Sequence, residues 1–251
     1  MSEFVDVEAL DRVLVIRFNR PDRLNALTHA MYAASADALD RAAEDPEIRA
    51  VVFAANGKSF TAGNDLNDFA GPPPEGKLPV LRFLEALRDA PKPLIAVVNG
   101  PAIGIGLTML LHCDLSFASE AATFRAPFAQ IGLVPEAASS LLLPQALGTA
   151  WANDILIAGR ILNAQEALSA GLISRVYSTE ELLPKSLETA AAIAAQAPIA
   201  TQRSKQLIRS GKAAVTERMA EEMVVFNQQL RSAEFAESVA AFRENRPPRF
   251  E

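Results

Sequence analysis

One cysteine, Cys113, in 251 residues leaves no partner for an intrachain disulfide and no basis for a cysteine-rich metal site. That usage suits a reducing compartment. Histidine is nearly as scarce: His29 is expected in the first turn of a helix. His112-Cys113-Asp114 are sequence neighbours, so on a helix their side chains diverge and make no nucleophile and base pair. No metal site is predicted. Positive charge is in deficit, with 24 Lys and Arg against 30 Asp and Glu for a net charge of −6, so no global basic field draws the chain to nucleic acid or anionic lipid. An anionic ligand must be held by local groups. Tyr32, Trp151 and the phenylalanines lack accompanying basic clusters and read as core, not as a stacking surface for bases. No apolar run reaches the roughly 18 residues of a membrane-spanning helix. The N-terminal MSEFVDVEALDR carries acids where a targeting signal carries bases, and RPPRFE is no peroxisomal address. A cytoplasmic protein without a membrane segment is the expectation.

What is present is hydrophobic material, half of all residues, in an arrangement that points to an α/β fold. Strands are predicted over residues 13–18, 50–54, 94–98, 115–118 and 173–177, where short β-branched apolar runs alternate with helical stretches. Thr28 is placed to cap a helix through MYAASADALDRAAED, which Pro46 follows. Residues 71–76 (GPPPEG) cannot be regular helix, because proline removes donors and fixes φ, and are expected as an exposed loop. A helix through LPVLRFLEALRDA follows, closed by Pro91 and Pro93. From about Glu180 only amphipathic or alanine-rich helical segments remain. The chain is therefore divided into a core of residues 1–179 and a helical region of residues 180–251, with no linker between them and no internal repeat.

Three segments could carry chemistry. In residues 93–119 a strand meets a glycine-bearing turn and then an apolar helix. The amides at such a helix start can stabilise an anion, or Gly104 and Gly106 can simply permit close packing. A dinucleotide fingerprint fits poorly, since the third glycine is missing. The turn over residues 58–66 also follows a strand, and one N–H from each turn could form an oxyanion hole. Asp65 reads there as an ordinary helix cap. In residues 122–140, Glu136 interrupts a run of apolar and small residues after Pro135. It is either a first-turn acid complementing a helix dipole or a base whose pKa is raised by an apolar pocket.

Taken together, NRPDRLNALT (19–28), FTAGNDL (60–66), NGPAIGIGLTMLLHCDLSFAS (99–119), TFRAPFAQIGLVPEAASS (123–140) and ALSAGLISRV (167–176) resemble the crotonase (enoyl-CoA hydratase/isomerase) superfamily in the right order along nearly the whole chain. The resemblance implies a ββα spiral core and C-terminal helices that drive trimerisation, often as a dimer of trimers. It also implies an acyl-CoA thioester as ligand, with coenzyme A as part of the substrate and no separate cofactor. Its thioester oxygen would rest between the backbone N–H groups of Asn64 and Ile105.

Hydratases of this superfamily carry two glutamates, at positions matched here by Thr108 and Phe128. PFAQIGLVPEAASS is instead similar to Δ3,Δ2-enoyl-CoA isomerases of the peroxisomal type, whose catalytic glutamate corresponds to Glu136. The resemblance further implies Arg23, Leu24, Asn25 and Ala26, with Ala62, Gly63, Asp65 and Leu66, as walls of the CoA cleft. Gly104, Thr108 and Phe128 would border the substrate, and Lys205 and Lys212 on the C-terminal helices are expected to reach a neighbour's phosphate.

Overall fold

The computed structural model describes residues 2–66, 68 and 76–250, so residues 71–75 of the expected loop lie outside the described residues. A six-stranded sheet in the order β1-β2-β3-β4-β6-β9 is formed by β1 (Val5–Leu10), β2 (Val13–Phe18), β3 (Ala50–Ala55), β4 (Leu94–Val98), β6 (Leu115–Ser119) and β9 (Arg175–Tyr177). Only the β1–β2 hairpin is antiparallel; the other neighbours run parallel. The remaining strands, β5 (Ala102–Ile103), β7 (Thr123–Arg125) and β8 (Leu162–Asn163), form a second, smaller sheet in the order β5-β7-β8.

Both faces of the large sheet are covered, which is why its central strands read as unbroken apolar runs. Leu14, Ile16, Val51, Phe53 and Ala96 lie in one core with Tyr32 and Leu39 of α1 (His29–Glu44) and Phe83 of α2 (Pro79–Asp89). Val15, Val52, Ile95 and Phe117 share a second core with Leu182, Ala190 and Ala194 of α7 (Thr179–Ala194). Thr28 caps α1 as expected, its Oγ1 accepting from the Met31 amide at 3.2 Å. The last large-sheet strand begins at Arg175, not Ile173: Leu172 and Ile173 are buried in the first core just after Gly171 ends the preceding helix.

After β5 comes a single helical turn, α3 (Ile105–Thr108), which tightens into a 3-10 turn through His112. Helices α4 (Ser139–Leu147), α5 (Thr149–Leu156) and α6 (Ala164–Ala170) precede β9, and α8 (Pro198–Ile208), α9 (Lys212–Gln229) and α10 (Ala233–Arg243) follow α7. The tail is tied to the core by polar anchors. Lys205, expected to project toward a phosphate, is instead buried, with Nζ 2.7 Å from Asp114 Oδ2 and 2.7 Å from the Lys92 carbonyl. An ammonium removed from water needs such partners. Arg209 reinforces the anchor through Asp114 Oδ1 at 3.0 Å and the Cys113 carbonyl at 2.7 Å.

Candidate active site

The loop before α1 is stitched to the turn after β3. Leu24 and Asn25 occupy the left-handed region, and the buried Asn25 amide donates to the carbonyls of Asn56 and Ser59, both at 2.8 Å. Thr61 Oγ1 donates to the Asn25 carbonyl at 2.7 Å, and the Ala62 amide to the Leu24 carbonyl at 2.9 Å. Arg20, which the sequence reading passed over, pairs with Asp65 at 2.5 Å and donates to the Ala26 carbonyl at 3.1 Å. The Asp65 carboxylate thus braces the loop.

The two glycine-bearing turns run side by side. The Ile103 amide donates to the Thr61 carbonyl at 3.0 Å, and a β-carbon on Gly106 would lie 2.6 Å from Thr61 Cγ2. Gly106 therefore serves close packing. Gly104 has a different reason: open space surrounds it, but φ 57° and ψ −118° suit glycine alone. Among the described residues, the amides of Asn64 and Ile105 have no hydrogen-bond acceptor. Ile105 opens a helical turn, so its N–H has none within the helix. Asn64 is fixed by its side chain, whose Oδ1 accepts from the Tyr32 hydroxyl. Burial pushes the Tyr32 pKa up, and the nearby Glu136 charge adds to the rise.

Glu136 is buried, and its Oε1 accepts from Thr108 Oγ1 at 2.5 Å. Burial pushes its pKa up to about 7; the Thr108 bond opposes the rise and repulsion from Glu222 adds to it. Such a carboxyl is poised to exchange a proton near neutrality. It lines a cavity of about 210 Å³ bounded by Leu81 and Leu84 of α2 and by Met219, Ala220 and Met223 of α9. Phe128 is buried nearby in sequence, its carbonyl accepting from the Leu133 amide at 2.8 Å.

Of the other expected site residues, all but the buried Gly63 are half-buried or exposed. Arg23 is exposed, 4.0 Å from Asp22, and Leu24 is exposed beside it. Ala26, Ala62 and Leu66 are half-buried, and Gly63 approaches the Ile103 carbonyl, so a β-carbon there would stand 3.1 Å from that oxygen. Lys212 pairs with Asp89 at 2.8 Å. Cys113 is inert, its thiol pushed up to about 12 by burial, while burial pushes His112 down to about 4. Among the described residues no group of side chains suits a metal ion.

Residues 8–251 match the family model described as enoyl-CoA hydratase/isomerase. The chain belongs to that family. An enoyl-CoA hydratase/isomerase from Pseudoalteromonas atlantica T6c superposes with a TM-score of 0.97 at 54% identity, covering 99% of this chain and 100% of that one. The 2,3-dehydroadipyl-CoA hydratase of Escherichia coli K12 is 34% identical over 253 residues, covering 100% of this chain and 99% of its own. The human enoyl-CoA delta isomerase 2 is 38% identical over 215 residues, 82% of this chain and 54% of that one.

Membership of the crotonase superfamily accounts for the fold and for an acyl-CoA substrate. It leaves the choice between hydration and isomerisation to the acids of the site. Besides Arg20, the structure adds two residues that sequence reasoning missed. Tyr32 holds Asn64, and Glu222 of α9 accepts from the Ala138 amide at 2.6 Å and the Ser140 amide at 2.9 Å. A signal for Glu222 was present: it lies three residues after Met219 and four before Phe226, so a charge interrupts the apolar face of a helix.

Proposed function

We propose that this enzyme is a Δ3,Δ2-enoyl-CoA isomerase in which Glu136 alone carries the proton. The observation that supports it is the set of acids: of positions 108, 128 and 136, only the last is a carboxylate, and it is buried with its pKa raised to about 7 beside an apolar cavity. Glu136 removes a proton from C2 of a 3-enoyl-CoA, a carbon made acidic by the thioester and the neighbouring double bond. The C2–H electrons form C1=C2 as the C1=O π electrons move onto the thioester oxygen, and a dienolate results in which C3=C4 is retained until C4 is protonated. The amides of Asn64 and Ile105 receive its negative charge, and such a donor is typically worth about 3 kcal/mol in the transition state. Glu136 then returns the proton to C4, giving the 2-enoyl-CoA. The reaction is redox-neutral and calls for no cofactor.

Hydration of a 2-enoyl-CoA is the second reading, favoured by the full-length likeness to the E. coli hydratase. Water addition calls for a second acid, whereas Thr108 is not a base near neutral pH, Phe128 holds no exchangeable proton, and Glu222 is occupied by backbone amides. The proposed setting is the cytoplasm, as a homotrimer or dimer of trimers; the exposed Ile199, Leu207 and Ile208 of α8 support the association. Purified protein given 3-enoyl and 2-enoyl-CoA esters should shift the double bond of the former without gain of water. Glu136→Gln should lose nearly all turnover while still binding the ester. Net hydration by the parent, or turnover retained in E136Q, would reject the assignment.

A further inference from the structure

Directly after Glu136, Ala137 and Ala138 both take left-handed backbone angles, φ 60° and 56°. Two consecutive residues with β-carbons in that region are strained unless their surroundings over-determine them. Three groups do so. The Ala137 carbonyl accepts from His112 Nε2 at 2.8 Å. The Ala138 amide donates to Glu222 Oε2 at 2.6 Å, and the Ser140 amide and hydroxyl donate to Glu222 Oε1 at 2.9 and 2.5 Å. Ala138 stands at the N-cap of α4 with no side-chain acceptor of its own, so the carboxylate of another helix satisfies the first amides and the positive end of the dipole.

We infer that Glu222 is a positioning residue for the base: reaching from α9, its carboxylate locks the Ala137–Ala138 turn that aims Glu136 into the cavity. The inference rests on the reading of Glu136 as base. Burial pushes the Glu222 pKa up, while the Ser140 hydroxyl and the Ser140 and Ala138 amides, all donors, oppose the rise and favour the ionised form; its charge adds to the rise of the Glu136 pKa, of which burial is the larger cause. The other charges near it are Arg218 on its own helix, shared with Glu221 at 3.0 Å, and Glu85 and Arg88 of α2, which border the same cavity. Arg88 is already held by Asp89, and His112 on the far side of the turn is neutral.

Glu222→Gln keeps the shape but removes the charge and one acceptor. Expected are a fall in kcat on the order of tenfold with KM unchanged, as for the loss of one charge-assisted bond, and an acid limb of the rate profile displaced to lower pH. Carboxyl-labelled glutamate read by NMR, with E136Q identifying the Glu136 signal, should show Glu136 titrating at lower pH in E222Q. Hydrogen exchange at the Ala138 and Ser140 amides should be faster. Should E222Q not fold, Ser140→Ala retains the charge and removes one bond, and faster exchange at the same two amides with lowered kcat is expected. Unchanged Glu136 titration with unchanged exchange in E222Q, or unchanged exchange and kcat in S140A, would overturn the proposal. A parent protein that turns over no 3-enoyl-CoA yet shows the shifted titration in E222Q upholds it and removes only the isomerase reading.

Discussion

Thr108 Oγ1 lies 2.5 Å from Glu136 Oε1, and Thr108 closes the single helical turn that Ile105 opens. Three residues of helix advance about 4.5 Å along its axis. The carboxylate proposed as base and the amide proposed to receive the developing charge are therefore fastened to opposite ends of one short rigid element. Movement of either is movement of both.

Replacing Thr108 with Val should test this link through the rate profile. The hydroxyl favours ionised Glu136, so its loss moves the pKa further above about 7. The acid limb of kcat/KM for 3-enoyl-CoA isomerisation should move to higher pH, opposite in direction to E222Q. A limb that stays in place would show that the bond does not govern the ionisation.

Burial makes Glu136 a cost to folding at high pH. A carboxyl whose folded pKa is raised from 4.5 to about 7 stabilises the native state fully while protonated in both states, and that support is lost as pH rises from 4.5 through 7. The rise corresponds to about 3 kcal/mol. E136Q should accordingly be more stable than the parent at pH 8 by up to that amount and nearly equal to it at pH 4, as read by urea unfolding at each pH.

Gly106→Ala would place a β-carbon 2.6 Å from Thr61 Cγ2 and push the two turns apart. Activity is expected to fall at least tenfold, chiefly in kcat, because the amide of Ile105 moves relative to that of Asn64. Steady-state kinetics beside a thermal melt separate this from unfolding.

Removing Asp114 strands two cations on the C-terminal region. Asp114→Ala leaves Lys205 buried without its carboxylate and should cost about 3 kcal/mol. Lys205→Met should cost less, since Arg209 still pairs with Asp114. Denaturant midpoints of the two variants give the comparison.

The central strands were legible because both their faces are buried, leaving runs such as residues 94–98 without a polar residue. The β1 strand was not: apart from Val5 its residues face solvent, and VDVEAL reads as an acidic terminus. The strands of the smaller sheet span only two or three residues, too short to show a period. Both turns near the site were legible from glycine after a strand, yet the sequence left open which glycine packs and which bends; coordinates assign packing to Gly106 and bending to Gly104. The pairing of Asp65 with Arg20 was not legible because the two are 45 positions apart, and Lys205 read as a free cation because nothing local announces Asp114. The burial of Glu136 was likewise not a local property, since α2 and α9 close around it from distant parts of the chain.

The brace on Ala138 arrives 84 residues later in the chain. During synthesis the strands and both turns emerge from the ribosome well before it, so the nascent polypeptide holds an unpoised carboxylate until α9 is out. A message cut short before Glu222 would leave the Ala138 and Ser140 amides without their acceptor and the cavity without part of its wall.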